Sequence, residues 1–242
     1  METVTFVDGF GRPVQVKKDG MVTSASEGTV SDAQSVMIVS GRNVYDAFGR
    51  VAKAYYPVTE ELGKRTDFNK AFDGVSPTVT VYDGIDRLVK VTDTEGNMTT
   101  TVYDMGDRRT EVNHPASGIT TFTYDALGNV LTKQTANLAK EGKSITYDYD
   151  YHRQTSINYP DHPENNVKYY YGGRNASQNR IGRLILREDG TGAIEYFYGK
   201  MGEVTKTRRT LIVPNQAIAT YVTQWTYDSH NRLLEHFLKA ER

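Results

Sequence analysis

Histidines, carboxylates and tyrosines are the side chains from which this chain could assemble a reactive or binding centre. The histidines are His114, His152, His162, His230 and His236. They show neither the i, i+4 pairing of a helical metal site nor short-range spacing with carboxylates, so they read as turn and surface residues. Serine, histidine and aspartate are present, but no Gly-x-Ser-x-Gly elbow is. Glu188, Asp189 and Glu195 flank one turn, and a glycosidase would need two such carboxyls facing each other roughly 5–9 Å apart. Asp189 reads more simply as a turn starter. Cysteine is absent, which removes a thiol nucleophile, a disulfide framework and a zinc ribbon. No enzyme activity, metal or cofactor is expected. Tyrosine offers the remaining chemistry: Tyr169, Tyr170, Tyr171, Tyr196 and Tyr198 could form a platform on which sugars stack. The same rings would serve as cross-strand packing worth about 0.2–1 kcal/mol per pair. They could equally line a wet interior, ring covered and hydroxyl solvated.

The elements that carry these residues repeat. An aromatic or aliphatic residue, Asp or Gly, two variable positions, then Gly, Asn or Asp, often followed by Arg, recur along the chain. The pattern begins as Val7-Asp8-Gly9-Phe10-Gly11-Arg12 and Tyr45-Asp46-Ala47-Phe48-Gly49-Arg50. It continues as Tyr82-Asp83-Gly84-Ile85-Asp86-Arg87, Tyr103-Asp104-Met105-Gly106-Asp107-Arg108 and Tyr124-Asp125-Ala126-Leu127-Gly128-Asn129. Later copies are Tyr198-Gly199-Lys200-Met201-Gly202-Glu203 and Tyr227-Asp228-Ser229-His230-Asn231-Arg232, with degraded ones at 147–153 and 171–184. Each reads as a hairpin turn. Asp bonds the backbone two residues on and starts a type I turn. The fourth position then adopts positive φ in a bulged loop, and Gly11, Gly49, Asp86, Asp107, Gly128, Gly202 and Asn231 are of the three types that do so most cheaply.

Weaker turns at 93–96, 115–118, 161–166 and 189–192 fall between these copies, so a turn comes every 10 or 11 residues in the clearest stretch. The segments between them are short and strand-like. The 23 valines, 28 threonines and 17 tyrosines against 11 leucines fit a pleated surface rather than helices. The spacing predicts an all-β antiparallel meander of hairpins over residues 1–242 as a single repeat region. Residues 57–77 lack alternation and read as an irregular insertion, a long loop with a short helix; 136–143 is a shorter one. The last segment, 232–242, is read as a strand from its place after a turn.

With 29 basic against 30 acidic residues there is no positive excess for nucleic acid. No apolar run approaches the roughly 20 residues that span a bilayer, and no signal peptide is visible at the start. Arg242 closes the chain without a terminating pattern, so the ends read as those of a section of something longer.

The Tyr-Asp-x-x-Gly-Arg copies resemble the YD-repeat, or Rhs-repeat, family over nearly the whole chain. The segments 45–51 and 124–130 are similar to its consensus units, and 179–184 and 8–15 are similar to its recurrent segments. The stretch 39–60 is similar to bacterial toxin-complex B/C and SpvB-type proteins. The resemblance implies a sheet wound spirally into a shell around a C-terminal toxin or effector domain, in a secreted or cell-surface parent. It implies flanking repeats and that domain as partners. The family's aspartyl self-cleavage signature is not matched, so no protease role is carried over. The function expected is a non-enzymatic section of an encapsulating shell, whose free strand edges would allow self-association. The alternative is a surface module recognising glycan or protein through its tyrosine-rich face.

Overall fold

A computed structural model describes residues 3–241 except 24, 27, 28, 31 and 32. The chain forms two units, Met1–Gly118 and Ile119–Arg242, and both are antiparallel meanders.

The first unit opens with β1 (Thr3–Val7) and β2 (Pro13–Val22), followed by the small ribbon β3 (Ala25–Ser26) and β4 (Thr29–Val30). Next come β5 (Gln34–Ser40), β6 (Asn43–Tyr45), β7 (Val51–Ala54) and β8 (Val58–Glu60). Then follow β9 (Thr78–Tyr82), β10 (Leu88–Thr92), β11 (Met98–Tyr103) and β12 (Arg109–His114). One sheet runs β1-β2-β5-β8, and a second ladder runs β6-β7-β9-β10-β11-β12. Period-two alternation puts Gln15, Lys17 and Asp19 on one face of β2. Met37, Val39, Val58 and Glu60 join that face through the pairs Asp19↔Met37, Lys17↔Val39, Val39↔Val58 and Met37↔Glu60. The centre of the face is covered: Met37 and Val39 are buried, with Tyr55 and Val58 against them, and Gln15 and Lys17 are buried as well.

What covers it is the expected insertion. Residues 57–77 are less irregular than their sequence: Val58–Glu60 pair with β5, and Ala71–Gly74 form a 3-10 turn. The segment between lies over the sheet. Gln15 exchanges two hydrogen bonds with the Asn69 backbone, at 2.8 and 2.9 Å. Arg65 pairs with Asp19 at 2.8 Å, and the Phe6 and Phe68 rings meet edge to face at 5.6 Å.

The second unit contains β13 (Gly118–Tyr124), β14 (Val130–Gln134), helix α1 (Ala136–Lys140), β15 (Ile145–Asp150) and β16 (Arg153–Asn158). After these come β17 (Val167–Tyr171), β18 (Leu184–Asp189), β19 (Gly192–Tyr198), β20 (Val204–Leu211), β21 (Ala219–Tyr227) and β22 (Leu233–Glu241). Each strand pairs with the next in sequence. The shorter insertion is α1, capped by the Thr135 hydroxyl, and 233–241 is a strand. Among the described residues the only apolar side chain buried here is Val222. Elsewhere side chains are shielded mainly by their strand neighbours, with Arg180 of the loop before β18 lying over Glu195 and the Phe197 ring. This sheet is one layer thick.

The layer has two unlike faces. Tyr147↔Ile157↔Val167 share one face, which continues through Tyr169↔Arg187↔Ile194↔Arg209. Tyr171, Tyr196 and Tyr198 follow on it by alternation. The other face carries Ser156↔Lys168↔Glu188 and Tyr170↔Leu186↔Glu195↔Arg208↔Val222↔Lys239. One side gathers Tyr147, Tyr169, Tyr171, Tyr196 and Tyr198 beside Arg187 and Arg209. The other carries Lys168, Glu188, Glu195, Arg208 and Lys239 beside Tyr170, Leu186 and Val222.

Candidate functional site: repeat turns and the tyrosine face

Each strand register slips by one residue beside the repeat tyrosine or its equivalent, at Phe6/Val7, Val44/Tyr45, Val102/Tyr103, Phe197/Tyr198 and Thr226/Tyr227 among others. That bulge is what a type I turn followed by a left-handed residue requires. The left-handed position is the fourth in all seven copies. Its φ is 78° at Gly11, 82° at Gly49, 69° at Asp86, 60° at Asp107, 88° at Gly128, 95° at Gly202 and 60° at Asn231.

One carboxylate organises each turn. In Asp83, Oδ1 accepts from the N–H groups of Ile85 and Arg87, both at 3.0 Å, while Oδ2 accepts from Arg87 Nε at 2.7 Å. Asp8, Asp46, Asp104 and Asp228 repeat this arrangement with Arg12, Arg50, Arg108 and Arg232. Asp125 repeats it with Asn129, and so does Asp93 with Asn97 in the turn at the opposite strand ends. The copy at Gly199 lacks the carboxylate but keeps the backbone bonds Gly199 N to Glu203 O and Gly202 N to Gly199 O. A Cβ on Gly199 would lie 1.7 Å from Glu203 Oε1. The glutamate side chain therefore occupies the place the aspartate would take.

The second tie runs between successive turns. The tyrosine hydroxyl donates to the carbonyl of the residue that follows the arginine position of the preceding copy. Tyr45 reaches Pro13 O at 2.8 Å, Tyr82 reaches Val51 O at 3.3 Å and Tyr103 reaches Leu88 O at 3.1 Å. Tyr171 bonds Gln154 O at 3.0 Å, Tyr198 bonds Leu184 O at 2.6 Å and Tyr227 bonds Val204 O at 3.0 Å. The preceding arginine lies over the same ring: Arg12 over Tyr45 at 4.3 Å, Arg50 over Tyr82 at 4.8 Å and Arg87 over Tyr103 at 4.9 Å. Arg153 over Tyr171 and Arg183 over Tyr198 continue the series. Arg87 also donates to Asp104 O and to Asp107 Oδ1, both at 2.9 Å, and Arg50 does the same to Asp83 O and Asp86. Each pair exposed to water contributes little alone. Repeated from turn to turn, they brace successive hairpins of sheets that bury few side chains.

Arginine and aspartate are thus partners in the turns, which accounts for both motif positions without catalysis. The aspartates sit below the ordinary carboxylate range. For Asp8, Asp93 and Asp125 the largest cause is the side-chain hydrogen bond from Arg12, Asn97 and Asn129 respectively. For Asp104 and Asp228 it is the backbone N–H of Arg108 and Arg232. In Asp46 and Asp83 partial burial is the largest influence and pulls upward, but the hydrogen bonds together outweigh it. A carboxyl depressed in the folded state contributes stability above its unfolded value, near 4, and that contribution disappears as pH falls through the folded value. Far-UV circular dichroism should stay flat from pH 8 to 5 and fall only once the pH drops below the unfolded carboxyl value near 4. A signal unchanged down to pH 2 would show that the turn carboxylates do not hold the sheet.

The five tyrosines singled out from sequence do not make one platform. Tyr169, Tyr171, Tyr196 and Tyr198 share a face, whereas Tyr170 is on the other and donates to Glu188 Oε2 at 2.8 Å. Tyr171 and Tyr198 are the inter-turn ties just described. Tyr198→Phe should lower the unfolding midpoint by the equivalent of about 1 kcal/mol. Tyr170→Phe, whose partner is exposed, should change it less; equal effects would contradict the tie.

The carboxylates flanking the turn at 189–192 are separated as well. Glu195 pairs with Arg180 and Arg208 on the charged face. Asp189 points to the opposite face and meets Arg187 and Arg209. Burial pulls Asp189 upward, but bonds from the Thr191 hydroxyl and N–H, then Arg187, outweigh it and bring it to about 2. His114 accepts from Ala116 N at 3.2 Å, and His152 meets the Asn129 side chain at 3.1 Å. No group of metal-ligating side chains gathers among the described residues. Sequence reasoning missed the turn tips: Phe10, Phe48, Ile85, Leu127 and Met201 stand exposed there. The signal was present, since the third motif position is apolar in five of seven copies.

Antiparallel hairpins that repeat one Tyr-Asp turn in both units define a β-repeat protein. Residues 82–119 match the family model of the RHS Repeat, and the Tyr-Asp turn found in that span recurs on both sides of it. No curated protein matches the chain. Among solved structures it aligns with TcdB2-TccC3-TEV at 17% identity over 98% of this chain, with a TM-score of 0.47. It also aligns with the Photorhabdus luminescens Tc holotoxin pore bearing a mutated TccC3, at 17% identity over 97% of this chain, with a TM-score of 0.49. In both cases it spans 17% of the other chain's length.

Proposed function

We propose that this chain is a non-enzymatic section of the wall of an RHS-repeat shell that encloses a toxin or effector domain. The carrying observation is the sheet of the second unit, which lacks a second layer of secondary structure and keeps Tyr147, Tyr169, Tyr171, Tyr196 and Tyr198 on one face. A globular domain would bury one face against a second layer, whereas a wall keeps two surfaces for two environments. The tyrosine face lines the interior in this reading, where rings with tethered hydroxyls give a surface that is apolar without being greasy. Leu233, Leu234, Phe237 and Leu238 are exposed on β22, at the end of its sheet. A flanking repeat strand would cover them and satisfy the open edge. The parent protein is then secreted or cell-surface, delivering what the wall encloses. Electron microscopy of the complete product of its gene tests this. A hollow particle with this segment in its wall is expected; a solid globular particle would overturn the reading.

A further inference from the structure

The covered face of the first sheet holds an arrangement that the wall does not require. Lys17 is fully buried, and its Nζ donates to Glu60 Oε1 and, at 2.7 Å, to Lys64 O. The other oxygen of the same carboxylate, Oε2, accepts from Asn69 Nδ2 at 2.6 Å. Asn69 Oδ1 accepts from the Ala71 N–H at 2.7 Å. The Phe6 ring lies 5.8 Å from Lys17 Nζ and packs against Phe68, next to Asn69. An amine and a carboxamide are thus held by the two oxygens of one carboxylate, and a backbone donor sits on the amide oxygen. These are the parts of an acyl transfer: nucleophile, proton carrier and oxyanion donor.

We infer that Lys17 and Asn69 condense into a side-chain amide bond, with Glu60 as the proton carrier. Glu60 takes a proton from the fully buried Lys17 ammonium, which leaves two neutral groups where Lys17 has no access to water. The Nζ lone pair forms a bond to Asn69 Cγ, and the carbonyl electrons move onto Oδ1, where the Ala71 N–H stabilises them. The C–Nδ2 bond then breaks. Nδ2 receives the proton held by Glu60 and leaves as ammonia, and the new amide nitrogen returns its surplus proton to Glu60, which ends as the neutral acid. Nothing is oxidised or reduced, and no other reactant is needed. The product staples the 61–70 segment covalently across β2 and fixes the one covered face of the unit.

Intact-mass spectrometry of the purified full chain reads this directly. The expected mass is lower than that of the sequence by one ammonia, with a proteolytic digest yielding a branched peptide that joins Lys17 to Asn69. In Glu60→Gln the loss and the branched peptide should both vanish, and in Lys17→Met likewise. An unmodified wild-type mass would overturn the inference, as would an ammonia loss located elsewhere in the digest. The wild-type measurement stands even if a variant fails to fold.

Discussion

Lys17→Ala is expected to cost at least about 3 kcal/mol of stability, because it leaves Glu60 as an uncompensated buried carboxylate and forfeits the bond to Asn69 as well. The Lys17 side chain is wholly buried and that of Glu60 is 12% exposed. The substitution therefore strands a carboxylate in a dry place, removes the donor on Lys64 O and loosens the segment that covers the sheet. Lys17→Met keeps the volume but not the charge and should be nearly as damaging. Combining Lys17→Met with Glu60→Leu should recover only the part of the loss that comes from the stranded charge, since an apolar pair of similar size replaces the ionic one but cannot restore the bond to Asn69. Urea unfolding followed by circular dichroism checks the series. A loss below about 1 kcal/mol for Lys17→Ala would mean that this network does not hold the covering segment.

Gly192→Ala should be comparably severe, by a steric route. Gly192 has φ 132°, and a Cβ there would lie 2.1 Å from Thr210 O and 3.0 Å from Thr210 C. Those atoms belong to the backbone that β19 pairs with, through Gly192↔Leu211 and Ala193↔Thr210. Relief must open the ladder, at a cost of about 3 kcal/mol or more. Gly128→Ala is the matched comparison. Its φ is 88° and a Cβ would meet nothing within 4 Å, so only the left-handed conformation is penalised, by about 1–2 kcal/mol. Denaturant midpoints read by fluorescence of the single tryptophan, Trp225 on β21, should rank Gly192→Ala well below Gly128→Ala. The reverse order would show that β19 and β20 do not pair in this register.

Much of this architecture is written locally in the residues. The turns could be placed because Asp at the first position and Gly, Asn or Asp at the fourth act through backbone atoms within five residues. The strands between them follow from β-branched and aromatic alternation, and Val167–Tyr171 and Leu88–Thr92 fall where that alternation puts them. The two-faced split of Tyr169, Tyr170 and Tyr171 also follows from a period of two, which groups the outer pair and excludes the middle ring. What could not be read was contact between segments distant in the chain. Gln15, Lys17 and Asp19 look like the wet side of a strand, and only the return of Arg65 and Asn69 over them makes that face a buried one. The bonds from Tyr45, Tyr82, Tyr103, Tyr171, Tyr198 and Tyr227 to the preceding copy were hidden for the same reason, since each acceptor is a backbone carbonyl with no residue signature. Glu203 standing where an aspartate would be expected on residue 199 is a compensation between positions that no single-motif reading reveals.

The central claim is that this sheet separates two environments, and the lack of native cysteine allows that to be measured. Single cysteines at Ile157 or Thr223 mark the tyrosine face, and at Lys168 or Lys239 the charged face. In the complete gene product all four should react with a small maleimide. Only the Lys168 and Lys239 positions should react with a polymer-linked maleimide too large to enter a closed shell. Equal labelling of both faces by the large reagent would contradict the wall.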